Sequence, residues 1–214
     1  MTLSVDGVSV RRGGRVVIAD LTLGVAAGEV VGVVGKNGCG KSTLLLSVAG
    51  VLEPRAGRIA IAGASVWGSR SERLRARRAL GYVPEAADPP GFLRGRELWA
   101  LVAATRGGEP PSQELRDALG LDEIGDTAIE RMSLGQRRRA CLGAAFIGPP
   151  ALLVLDEPDN GLDARRLDGL VVLVRRHAAA GRSCLLASHD AALLDHLGAR
   201  VVSIGEPPGA VVHE

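Results

Sequence analysis

The stretch Glu29-Val30-Val31-Gly32-Val33-Val34-Gly35-Lys36-Asn37-Gly38-Cys39-Gly40-Lys41-Ser42-Thr43 decides how this chain folds. Its first part, EVVGVV, is a short valine-rich run that stops at glycine, the pattern of a strand buried on both faces. Gly35–Ser42 fits GxxxxGK[ST], and Lys41–Leu52 reads as a helix closed by Gly50 and Pro54. Strand, glycine loop and helix together make an anion cradle. Glycines let the main chain curl round a phosphate, the N–H groups converge on it as donors, and the helix start adds about half a positive charge. Gly35, Lys36, Asn37, Gly38, Cys39, Gly40, Lys41, Ser42 and Thr43 are expected to bind the phosphates of ATP. Lys41 reaches the β- and γ-phosphates, and the Ser42 hydroxyl ligates Mg²⁺. Cys39 holds a variable position and fills space.

Lysine usage singles out the same loop. Lys36 and Lys41 are the only lysines among 26 Lys+Arg residues. Two lysines placed at random would both land in this loop roughly twice in a thousand tries, so chance is a poor account of the motif. A lysine is a compact charge on a thin stem and fits between phosphates; the arginine fork does not.

A second charged site ends another apolar run. Leu152–Leu155 reads as a buried strand, and Asp156 and Glu157 follow it. Carboxylates at the carboxyl end of a central strand stand where ligands bind in open parallel sheets. Asp156 is expected to hold Mg²⁺ and Glu157 to polarise the water that attacks the γ-phosphate. Taken alone, Asp156 also reads as a helix cap after a strand.

Around these two sites the chain alternates. Leu3–Val10 and Arg15–Ile18 read as a hairpin turned at Gly13-Gly14. Arg58–Ala62 and Leu80–Val83 read as strands and Ser69–Arg78 as a basic amphipathic helix, its arginines a solvated face. From Ala86 to about Pro150 the texture becomes helical: Gly95–Thr105, Ser112–Leu119 and Gly135–Ile147. Alternation then resumes through Ala164–Ala180, Ser183–Ala187, Ala191–Leu197 and Arg200–Ile204. The PPG segments at 89–91 and 207–209 are loops. This is an α/β core on a parallel sheet, interrupted by a helical insertion of about 60 residues.

Composition bounds the function. The chain has 214 residues, enough for one sizeable core with a small inserted lobe. Its net charge of +2 lacks the basic excess of a nucleic-acid binder, so no nucleic-acid partner is expected. Cys39, Cys141 and Cys184 are scattered and form no CxxC pair, which fits a reducing compartment. No run of eighteen apolar residues crosses a bilayer, and the start MTLSVDGVSV lacks the layout of a secretory signal.

These residues, in this order, resemble an ABC-type ATPase, the nucleotide-binding subunit of ATP-binding-cassette transporters, over nearly the whole chain. The discriminating segment is Met132-Ser133-Leu134-Gly135-Gln136, which resembles the signature LSGGQ. Read without the resemblance, it is an N-capped helix start with SxxQ, a capping box. Asn160-Gly161-Leu162-Asp163 resembles the D-loop, and Ser188-His189-Asp190 the switch histidine.

The resemblance implies a P-loop NTPase fold: a RecA-like parallel core (1–85 and 151–214), an N-terminal antiparallel β subdomain, and an inserted helical subdomain at about 86–150. It implies that Ser133, Leu134, Gly135 and Gln136 close over the γ-phosphate held by another subunit, and that the D-loop crosses the dimer interface. His189 would contact the γ-phosphate and help hold the water and Glu157; His177, His196 and His213 have no role. With one copy of each motif, the chain pairs with itself or a homologous ATPase subunit. A separate membrane-spanning permease docks near Glu85, which puts the chain on the cytoplasmic face of the membrane. The short form resembles export-type subunits.

Three positions depart from the family pattern. Arg12 stands about where an aromatic usually lies under the adenine, leaving a guanidinium, with Val16 and Val17, to meet the base. Glu85 replaces the Q-loop glutamine; a carboxylate still ligates Mg²⁺ but adds charge near the γ-phosphate. Leu134 stands for glycine and Met132 for leucine. These changes motivate an alternative, a regulatory subunit that hydrolyses weakly. A soluble ABC ATPase of DNA repair or translation is a second alternative; its usual coiled-coil insertions or tandem cassettes are not present.

Overall fold

The computed structural model describes residues 1–205; the PPG segment at 207–209, His213 and the end of the expected core segment lie outside them. The chain opens with an antiparallel pair, β1 (Leu3–Arg12) and β2 (Arg15–Val25). β2 runs past the expected Ile18 because Leu23 and Val25 go on pairing with Val5 and Leu3 and are buried. β3 (Val30–Val34) leads through the glycine loop into α1 (Lys41–Val48). α1 stops short of the expected Leu52, at Ala49, and Gly50 takes the left-handed φ of 73°. The Trp67 indole donates to the Ser47 carbonyl at 3.2 Å, satisfying a helix-end acceptor.

β4 (Ala56–Ile61) and β5 (Ala64–Ser65) complete a four-stranded antiparallel sheet in the order β2-β1-β4-β5. α2 (Arg70–Arg78) follows, closed at its start by a capping box between Ser69 and Glu72. After β6 (Leu80–Val83) come α3 (Gly95–Arg106), α4 (Gln113–Leu119) and α5 (Leu134–Phe146). The chain returns through β7 (Leu152–Asp156), α6 (Ala164–Ala179), β8 (Ser183–Ala187), α7 (Ala191–Leu197) and β9 (Arg200–Ser203). The second sheet is parallel, in the order β6-β7-β8-β3-β9.

Period-two alternation sorts the central strands between two cores. Leu152 and Val154 of β7, Val31 and Val33 of β3, and Leu185 of β8 face α1 and the antiparallel sheet. Leu153, Leu155, Val30, Cys184 and Leu186 face α5, α6, α7 and the inserted helices. These strands are apolar on both faces because both faces are covered.

The strand order also builds the site. β7, β8 and β3 are neighbours and run parallel, so their carboxyl ends come together at one edge of the sheet. The glycine loop, the acidic pair and the Ser188-His189 turn all leave from that edge, where ligands bind in open α/β sheets.

Candidate phosphate and metal site

Gly35 carries a φ of 153° and Gly40 a φ of 114°. A Cβ on Gly35 would stand 2.4 Å from the Ile204 carbonyl, and one on Gly40 2.9 Å from Val17. Glycine is therefore required at both on conformational and on steric grounds. Lys36, Asn37 and Gly38 form the exposed crest of the loop, and Cys39 packs partly buried against the core. Lys41 is 7% exposed and folds back across the loop, donating from Nζ to the Gly35 carbonyl at 2.9 Å. A buried cation is thus held against the main chain at the start of the loop. Thr43 is buried in the first turn of α1, its carbonyl accepting from the Ser47 hydroxyl.

The acidic pair lies beside it. Asp156 is 2% exposed, and its Oδ1 has no hydrogen-bond partner among the described residues. Burial pushes the Asp156 carboxyl pKa up; the Ser42 hydroxyl works against this, and the nearby Glu85 carboxylate adds to the rise. A buried carboxylate oxygen with no donor, next to a serine hydroxyl, is a group in need of a cation. The donor set is all oxygen, which suits Mg²⁺.

Glu157 is also buried, and its pKa is raised chiefly by burial, with His189 and Lys41 pulling it down. Its backbone sits at a φ of 47°, a conformation uncommon outside glycine, and its amide donates to the Ala187 carbonyl at 2.8 Å. The carboxylate reaches His189 twice. Oε1 is 3.3 Å from the imidazole Nε2, and Oε2 accepts from the His189 amide at 3.3 Å. The structure therefore brings together Lys41, Ser42, Asp156, Glu157 and His189.

Glu85 stands just past the end of β6, exposed, with its carbonyl bonded to Arg138. Arg12 is exposed at the hairpin tip, paired in register with Arg15. The glycine loop meets that hairpin at Val17 and Ile18, not at Arg12.

The remaining motif residues form a separate group. Ser133 caps α5, accepting from the Gln136 amide at 3.2 Å, while Gln136 Oε1 accepts from the Ser133 amide at 2.8 Å. Leu134 is 68% exposed. A Cβ on Gly135 would stand 2.1 Å from the Gly161 carbonyl, so signature and D-loop backbones touch within one chain. Asn160 donates its amide to the Glu157 carbonyl, Leu162 packs on the core, and Asp163 caps α6 through the Arg166 amide at 2.9 Å. The hydrogen bonds of Ser133 stay within its own helix start.

Residues outside the motif reading also belong here. Asp159 accepts from the Ser188 hydroxyl at 3.0 Å and tethers the histidine turn to the acidic strand. Arg138 is buried at 3% exposure and bonds the carbonyls of Pro84, Glu85 and Asp156. It lies inside the run Arg137-Arg138-Arg139, where nothing in the sequence marks one arginine as the buried one.

A strand, a glycine loop closed on a buried lysine, and two buried acids at the end of β7, one strand removed across β8, define a phosphate-loop α/β protein. The family model described as ABC transporter matches residues 18–160, and the chain belongs to that family as an ATP-binding subunit. It is 34% identical over 205 residues to the cytochrome c biogenesis ATP-binding export protein CcmA of Sphingopyxis alaskensis, covering 94% of this chain and 97% of that protein. It is 33% identical over 195 residues to the cobalt import ATP-binding protein CbiO of Rhodobacter capsulatus, covering 88% of this chain and 70% of that one. Among solved structures, an ATP-binding subunit of an ABC transporter superposes with a TM-score of 0.88 at 27% identity, over 96% of this chain and 86% of the other.

Proposed function

We propose that this chain hydrolyses ATP to power transport by a separate membrane-spanning permease, in the export direction. The observation that carries the reading is the orphaned, buried Asp156 Oδ1 at the same sheet edge as Lys41 and the Glu157–His189 pair. Resemblance to an export protein across 97% of its length supports the direction. No helix among the described residues is long and apolar enough to cross a membrane, which is consistent with a subunit that sits peripherally on the cytoplasmic face.

In this reading the amides of Gly35–Thr43 and the Lys41 ammonium bind the phosphates once ATP displaces Nζ from the Gly35 carbonyl. Ser42 and Asp156, with Glu85 nearby, hold Mg²⁺, which when bound neutralises phosphate charge. Glu157 accepts a proton from the attacking water; its raised pKa places it closer to the working range of a general base. His189 orients that carboxylate and meets the γ-phosphate. Arg12, Val16 and Val17 pack the base; Val16 is 55% exposed and free to do so.

Two chains, identical or homologous, sandwich two nucleotides. Ser133, Leu134, Gly135 and Gln136 of each face the other's γ-phosphate, and Asn160–Asp163 lines the joint. Residues 1–85 and 151–214 act as the nucleotide core and about 86–150 as the helical subdomain. The permease docks near Glu85.

The test is Glu157→Gln. ATP binding should persist, turnover should fall at least about a hundredfold, and ATP should hold the chain as a dimer in size-exclusion chromatography. Unchanged turnover would remove Glu157 from its role.

A further inference from the structure

The parallel ladder between β6 and β7 pairs Leu80 with Leu152 through to Val83 with Leu155, and then stops. Pro84 comes next and has no amide proton, so it cannot donate to the neighbouring strand. The carbonyls at this break need other donors. Arg138 supplies them from α5. Its Nη1 donates to the Pro84 carbonyl at 2.8 Å and to the Asp156 carbonyl at 3.3 Å; its Nη2 donates to the Glu85 carbonyl at 2.7 Å.

The flanking arginines do different work. Arg137 pairs with the exposed Asp88, and Arg139 with Glu123 and the Leu119 and Gly120 carbonyls. Only Arg138 spans two strand ends, and each carries an acid of the site. Burial lowers its pKa, while Cys141, Asp156, Asp159 and Glu85 act in the opposite direction. A planar fork with fixed donor directions can reach three carbonyls at once; an ammonium offers one point.

We propose that Arg138 is a positioning residue for hydrolysis: it clamps the Pro84-Glu85 turn to the end of the acidic strand and so sets where the Glu85 carboxylate stands relative to Asp156. Its charge also offsets Glu85, an acid at a place where a neutral side chain would need no such balance. The kinetic consequence rests on the ATPase reading; the clamp does not.

The experiment compares Arg138→Met, Arg138→Lys, Glu85→Gln and the Met/Gln double variant. In the nucleotide-free chain, hydrogen exchange in the ladder beside the clamp (residues 81–83 and 153–156) and at the Glu157 amide should rise at least about tenfold in Arg138→Met, less in Arg138→Lys. Unchanged exchange there overturns the clamp, whether or not the chain is an ATPase. In the complex with the permease, Arg138→Met should lower kcat about 10- to 100-fold relative to wild type and raise the Mg²⁺ concentration for half-maximal rate. Nucleotide affinity in EDTA should move less than about threefold, since the glycine loop is untouched. Glu85→Gln should restore part of the kcat lost in Arg138→Met, a coupling that loss of fold alone does not produce. Purely additive effects, or an unaltered Mg²⁺ requirement, overturn the positioning role. Should Arg138→Met fail to fold, Arg138→Lys keeps the charge and stem, and its exchange, kcat and Mg²⁺ requirement decide.

Discussion

The two halves of the proposed ATP machinery differ in how complete they are. Around the glycine loop, polar groups are buried and under-satisfied: Asp156 Oδ1 has no partner, Lys41 rests on its own loop carbonyl, and Glu157 holds a left-handed backbone. Around the signature and D-loop the helix caps are satisfied locally, though the buried Arg137 Nε has no partner among the described residues: Ser133 and Gln136 close a capping box, and Asp163 caps α6. The first half leaves buried polar groups open to a ligand. The second is ordinary capped helix, and needs a neighbouring chain to acquire any other role. A buried carboxylate oxygen without a donor, beside a phosphate-loop lysine and serine, marks room for a cation; satisfied caps mark, at most, a contact.

The sharpest way to break this comparison is Lys41→Ala. Loss of the buried cation should weaken ATP binding at least about a thousandfold, roughly 4 kcal/mol, as read with a fluorescent nucleotide. Retained tight binding would mean that the loop amides suffice without the lysine.

The second test concerns pH, where the halves have opposite signs. His177, buried against Phe146 behind the signature helix, has its pKa pushed down to about 4 by burial. The unfolded chain therefore binds the proton first, and stability falls as pH drops from about 6.5 toward 4. Asp156 and Glu157 are raised instead. They favour the folded state below their unfolded pKa values, and that contribution is lost as pH rises through the folded ones. Denaturant titrations of wild type and His177→Leu should diverge by about 2–3 kcal/mol between pH 6.5 and 4. A constant offset would show that His177 protonates freely in the fold.

Ser133→Ala separates cap from contact. As a cap, Ser133 contributes about 1 kcal/mol of stability. If that were its whole role, kcat of the complex would follow stability and remain near wild type. A fall in kcat well beyond that, in a variant still folded at assay temperature, places the serine at the partner's phosphate. The smallest effect is expected at the base. With Arg12, Val16 and Val17 in place of an aromatic, competition between ATP and GTP should differ by less than about tenfold. A large ATP preference would show that another group reads the adenine.

Much of the fold is legible along the chain because its signals are local. The EVVGVV run, the glycine spacing and Leu152–Leu155 each state their structure within a few residues, and all three stand where expected. Helix α1 ended early because the left-handed Gly50 turns its amide and that of Val51 back onto the Ser47 and Leu46 carbonyls, a local cap; β2 ran long because a tertiary contact decided its end, β1 against Leu23 and Val25. The resemblance put Arg12, Val16 and Val17 at the base; where the chain folds back, Gly40 of the loop meets Val17 and Ile18.

By itself, then, the amino-acid order determined the anion cradle, the buried strands and the acids at their ends, since glycine spacing, apolar runs and adjacent carboxylates are properties of neighbours in the chain. Only the tertiary structure decided which of three consecutive arginines lies beneath the acidic strand, and that Gly135 lies on Gly161. Those outcomes depend on which strand ends adjoin and which helix packs under them, and no stretch of a few residues carries that information.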